Sequence, residues 1–158
     1  MALIDIIRDK AGLSGFRSRL ADDLEAQTLF ASIMVISAKS DGGISPEENL
    51  RMVQLLRGKF GLQPGEALEL VTRLADSVTG NAETDSLIDT VNREFSLSAK
   101  EELMLMVVSV IAADEEKDAQ EMKLLMTLVD ELNVPGKVME KVYARYFEQQ
   151  KIRGQVSA

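Results

Sequence analysis

The chain of 158 residues has no cysteine, no histidine and no tryptophan, and only three prolines. Without cysteine, no disulfide staples the fold and no thiol does chemistry. Without histidine, the commonest general base is missing, and so are the imidazole ligands of ordinary zinc sites. Aromatic residues make up only 4% of the chain. Long apolar runs are also missing. The longest, "LMLMVVSVIAA" at 103–113, has 11 residues, against the roughly 20 that cross a bilayer. It suits a buried core helix instead. No glycine-rich phosphate loop is present, since Gly42-Gly43 alone is not one. Catalysis would therefore need metal-activated water or paired carboxylates in a shaped pocket. The expected protein is not an enzyme, and no small-molecule substrate is evident.

What is present is ordinary for a folded soluble protein. Apolar residues make up 46% and charged residues 28%, enough for one domain with a real core. Eight methionines accompany abundant Leu, Ala, Glu and Lys, all good helix formers. The net charge of −8 is unevenly spread. Residues 1–20 carry four basic and two acidic side chains, and 136–158 carry five and two. The middle, 21–135, has 9 bases against 22 acids. Such a body repels the phosphates of nucleic acid and attracts cations or basic partners. The opening "MALIDIIRDK" lacks the pattern of a secretory signal, so the expected location is the cytoplasm.

Helix punctuation is strong and strand signals are weak. A short amphipathic helix is expected over 2–10, ended by "GLSG", and a long one over 22–39. Ser45 reads as an N-cap, with Pro46 at the first helical position and Glu48 at the third. That helix should stop at Gly61. Further helices are expected over 64–77, over 85–95 after a turn at 79–82, and from a Ser98/Glu101 capping box to 114. Asp118 should cap a helix ending near 133, and Pro135-Gly136 should start the last one, to about 151. Residues 152–158 read as a frayed tail.

The two halves of the chain resemble each other. "LFASIMVISAKSD" at 29–41 lies over "ELMLMVVSVIAAD" at 102–114 with an offset of 73. The same offset places Glu48 on Glu121, and Met52, Val53 and Leu56 on Leu125, Met126 and Val129. After a two-residue shortening, Pro64-Gly65 matches Pro135-Gly136. The expectation is a single domain over 1–158, an all-α helical bundle of about seven to eight helices built from two pseudo-symmetric halves, 22–78 and 96–151. The first helix of each unit is apolar nearly all round and should sit at the centre. Met34, Met104, Met106 and Met126 are expected in the core.

Each unit also places an acid where one helix ends and another where the next begins. A helix–loop–helix hairpin brings such ends close. If the central helices lie side by side, Asp41, Glu48, Asp114 and Glu121 converge as four carboxylates. Oxygen ligands of this kind suit calcium or magnesium. The plainer reading gives the glutamates to capping boxes, Ser45 with Glu48 and Asp118 with Glu121. It gives Asp41 to an Asx-turn.

"AKSDGGISPEE" followed by "LLRGKFGL", and "AADEEKDAQE" followed by "LVDELNV", resemble the signature of the TerB-like family of tellurite-resistance proteins. The family pattern is A-x-D-G-x-[IL]-[SD]-x-x-E. The first copy keeps it as Ala38, Asp41, Gly42, Ile44, Ser45 and Glu48, with one extra residue. The second keeps Ala113, Asp114, Asp118 and Glu121, and departs at Glu115 and Lys117. The resemblance covers roughly 22–147. It implies an all-helical fold of two related halves and a role in resistance to tellurite and related stresses. It also implies a divalent cation on the matching acids and work in assemblies near the membrane. Similar domains precede a J-domain in membrane-bound cochaperones, and none is an established enzyme.

The expected function is thus a non-enzymatic cytoplasmic stress-response module. It would bind a divalent cation, protein partners or both through its acidic face. Two alternatives stand beside it. One is a purely protein-binding scaffold without metal, using the final basic helix (Lys137, Lys141, Arg145, Lys151). The other is peripheral membrane association through Leu3, Ile6 and Ile7 of the first helix.

Overall fold

The structure, a computed structural model, describes residues 15–39, 43–77, 81–113 and 119–157, with side chains for 24–39, 43–77, 83–113 and 122–152. Seven helices and no strand occur among the described residues. They are α1 (Gly15–Ala38), α2 (Pro46–Phe60), α3 (Pro64–Ser77), α4 (Asn81–Glu94), α5 (Leu97–Ala113), α6 (Ala119–Glu131) and α7 (Gly136–Ser157). The all-α bundle expected from the sequence is the observed fold. The short helix expected over 2–10 lies outside the described residues. None of the described helices is long and apolar enough to cross a membrane.

Local chemistry sets several helix ends. Ser45 caps α2, its hydroxyl accepting the Glu48 N–H at 3.1 Å while the Glu48 carboxylate accepts the Ser45 N–H at 3.0 Å. Both orphan donors are satisfied reciprocally, and Pro46 costs nothing at a position whose N–H has no helical partner. Gly61, at φ 68°, ends α2 in the left-handed region, its N–H donating to Arg57 O. Asn133 does the same for α6 at φ 54°. There Val134 N–H reaches Val129 O and Asn133 N–H reaches Asp130 O, closing the last carbonyls of α6.

Several ends differ from the sequence expectation. α1 begins at Gly15 rather than near 22, because "FRSRLADDL" contains no breaker and Asp22 is interior. α4 begins at Asn81, so Asn81 and Ala82 are helical rather than part of a turn. The cap of α5 is Ser96, not Ser98: Ser96 Oγ accepts the Ala99 N–H at 3.1 Å. Glu101 is then free of capping duty and accepts from Arg145 instead, at 2.8 Å. α7 extends to Ser157, past the expected end near 151. Gly154 alone costs only about 1 kcal/mol in a helix, and no proline intervenes.

α1 and α5 pack against each other at the centre, and the remaining helices cover them. α5 shows why: every residue from Leu103 to Ile111 is buried, on all sides of the helix. Each fully buried Leu, Ile, Val or Met contributes about 1.5–3 kcal/mol of transfer free energy. α2 lies on α5 as well as on α1, and α6 lies on α1 as well as on α5. α3 packs on α1, α7 on α5 and α4 on α1. One pairing has no counterpart: α2 and α3 pack on each other, whereas α6 and α7 make no comparable contact. Met34, Met104 and Met106 are core residues as expected, but Met126 is 70% exposed. The buried stripe of α6 is Leu125 and Leu128, continued by Leu132 in the turn after it, and the neighbour of Leu125 in sequence points about 100° away.

Arg145 ties α7 to the start of α5 through Glu101 at 2.8 Å and Glu102 at 2.9 Å. The hydrogen bond with Glu102, first among the causes, raises its guanidinium above the ordinary arginine value. A raised cation contributes stability that is lost only as pH climbs through the raised value. That window lies above the alkaline end of ordinary arginine titration, so arginine titration leaves the bridge intact at physiological pH.

Candidate functional site

Of the four acids singled out from the sequence, the structure describes the side chain of Glu48 only. Asp41 and Asp114 lie outside the described residues. Glu121 sits in the first turns of α6, with its side chain outside them. The convergence of all four is therefore not part of the described geometry. Among the described residues, no three acidic side chains come together to hold a metal.

Glu48 has an unusual setting for a carboxylate. It is 1% exposed, at the foot of the loop that carries Asp41. Oε1 accepts the Ser45 N–H, so the capping box, the plainer reading of this residue, is real. Capping alone does not require burial, because an exposed glutamate at the third position does it equally well. Burial here follows from α2 packing onto both α1 and α5.

Next to Glu48 in the chain stands Asn49, which belongs to no motif. Asn49 Oδ1 is buried and has no hydrogen-bond partner among the described residues. Asn49 lines a small cleft of about 270 Å³ with Lys39, Ile44, Thr72, Ala75 and Asp76. Lys39, in the turn after α1, donates from Nζ to Ala75 O at 2.7 Å, which clips that turn to the end of α3. A buried amide oxygen without a donor costs about 1–3 kcal/mol, so something normally offsets it. No sequence signal marks Asn49, because an asparagine in a first helical turn is commonplace.

The cap itself is testable. Ser45→Ala should cost about 0.5–2 kcal/mol in urea unfolding. Glu48→Gln should cost less, since an amide oxygen still accepts the Ser45 N–H. Equal stability of Ser45→Ala and the parent chain would rule out the cap as a determinant of α2.

Comparison with known protein families supplies the identification. The family model described as tellurite resistance protein TerB matches residues 27–143. The chain belongs to the TerB family. The match runs from the middle of α1 into α7 and so takes in both acidic loops of this TerB-family chain. No curated protein and no solved structure matches it.

Proposed function

We propose that this TerB-family protein is a non-enzymatic cytoplasmic stress-response module that binds calcium or magnesium at the loop between α1 and α2. The observation that carries the reading is Glu48. Its carboxylate is withdrawn from water at 1% exposure, with one oxygen held by a main-chain N–H. Asn49 Oδ1, on the next residue, is also buried, without a partner among the described residues. Hard cations select carboxylate and amide oxygens of this kind. A fixed oxygen also loses little freedom on binding a cation. Asp41 from the loop is the proposed further ligand, and Asp114 and Glu121 the corresponding acids of the second unit.

Thermal unfolding with calcium, magnesium or EDTA tests this. A cation at about a hundred times its dissociation constant stabilises by about 2.7 kcal/mol. Glu48→Gln, which keeps the cap and removes the charge, should abolish that gain, as should Asp41→Asn with Asp114→Asn. If neither metal moves the parent's melting temperature relative to EDTA, the cation reading fails. The metal-free reading, a protein-binding scaffold, then takes its place.

A further inference from the structure

The sulfur of this chain is all thioether, since it has eight methionines and no cysteine. Met1 lies outside the described residues. Of the other seven, five are shut away from water: Met34, Met52 and Met104 at 0% exposure, Met106 at 5% and Met139 at 6%. The remaining two are open, Met122 at 44% and Met126 at 70%. Both stand on α6, one turn apart and so on one side of the helix. The buried stripe of Leu125 and Leu128 lies on a different side. Met126 also lines a groove of about 760 Å³ between α6 and α7, with Val129, Val134, Met139 and Tyr143.

This division separates two consequences of oxidation. A sulfoxide is polar, and in a core it disrupts packing. The five buried methionines are where that disruption would occur. Met122 and Met126 keep much of their side chains in water, so their burial stabilises the fold little and an added oxygen there meets solvent. The fold thus exposes thioethers where oxidation costs packing little and shields them where it costs much. Neither residue belongs to the acids proposed for the cation, so the two sites are independent.

We propose that Met122 and Met126 are a reversible oxidation site, each taking one oxygen atom from hydrogen peroxide while the bundle stays folded. The sulfur attacks the peroxide, the O–O bond breaks, and the sulfur gives up two electrons. One oxygen ends on the sulfur as the sulfoxide, and the other leaves as water. The return step needs a dithiol reductant of the sulfoxide-reductase class, which takes the oxygen off as water and becomes a disulfide. A chain without cysteine does not supply that dithiol itself. What changes is the surface: at 126 a polar sulfoxide replaces an apolar lip of the groove.

Treating the folded full chain with dilute hydrogen peroxide, then mapping its peptides by mass spectrometry, tests this. Sulfoxide at 122 and 126 should form about tenfold faster or more than at the five buried positions, which react only when the structure opens. Met139 is the internal control, since it lines the same groove but is 6% exposed. The oxidised chain should keep its helix content and cooperative melting. Sulfoxide reductases of both epimer specificities, supplied with a dithiol, should return it to its original mass. Met122→Leu with Met126→Leu, which keeps size and apolarity, should remove the fast uptake without raising it in the core. Buried methionines oxidised as fast as these two overturn the inference. So does a loss of cooperative melting when 122 and 126 alone are oxidised, or sulfoxides there that the reductases do not remove.

Discussion

Phe30→Ala is expected to lower the free energy of unfolding by about 3–5 kcal/mol. Phe30 is 4% exposed, on α1. Its ring meets Phe60 edge-on at 5.5 Å and Phe95 at 5.2 Å. Phe60 is the last residue of α2, and Phe95 lies between α4 and α5. One side chain therefore joins three places far apart in sequence. The Lys59 ammonium, 5.5 Å from the ring centroid, adds a cation–π contact of about 0.5–1 kcal/mol where solvent reaches it. Truncation removes the transfer free energy of the ring, both aromatic contacts and that cation contact, and leaves a cavity. A domain of ordinary stability has about 5–15 kcal/mol in total, so the variant should sit near the edge of folding. Urea unfolding followed by circular dichroism measures the loss. Phe30→Leu, which refills most of the volume, should cost about 1–1.5 kcal/mol. An alanine variant that loses less than the leucine variant would contradict the described junction.

The second large effect comes from a buried cation. Lys100 is 6% exposed, and its Nζ donates to Asn92 Oδ1 at 2.9 Å. The amide nitrogen of Asn92 in turn donates to Glu131 O at 2.9 Å. One amide thus links α4 to the first turn of α5 and the last turn of α6. Asn92→Ala takes the acceptor from a charge held out of water, which should cost about 2–3 kcal/mol. Lys100→Met removes the charge itself and leaves an amide that is only partly buried and still bound to Glu131 O. That change should cost about 1 kcal/mol or less, because an apolar replacement of a buried ion escapes its desolvation. The double variant should then be more stable than the sum of the two losses implies. Additive losses, with Lys100→Met the worse of the two, would show that Asn92 does not hold the lysine.

How far the sequence reaches is visible at individual residues. Ser45, Pro46, Glu48 and Gly61 declared both ends of α2, because capping depends on groups within four positions of one another. The uninterrupted apolar stretch of α5 declared its central place, because burial on every face leaves no polar position in the pattern. The choice between Ser96 and Ser98 was not legible, since both serve as caps on local grounds. Met126 looked like core for a related reason. Its apolar neighbours repeat at helical spacing, and only the direction in which α7 leaves Pro135 decides which stripe is covered. The candidate site divides in the same way. Glu48 was found through its cap, whereas its burial and the lone oxygen of Asn49 depend on helices distant in the chain.

By itself, then, the sequence determined the described helices apart from several of their ends, both caps of α2, the central pair α1 and α5, and the family. Those properties arise from interactions between residues close in the chain or from the average polarity of a face. Tertiary structure alone decided that Phe30 unites three segments, that Asn92 supports Lys100, and that Arg145 reaches Glu101 and Glu102. It also decided that α6 and α7 part to leave a groove. Each of these depends on how rigid helices cross in space, and a crossing is a compromise among many side-chain volumes that no short segment encodes.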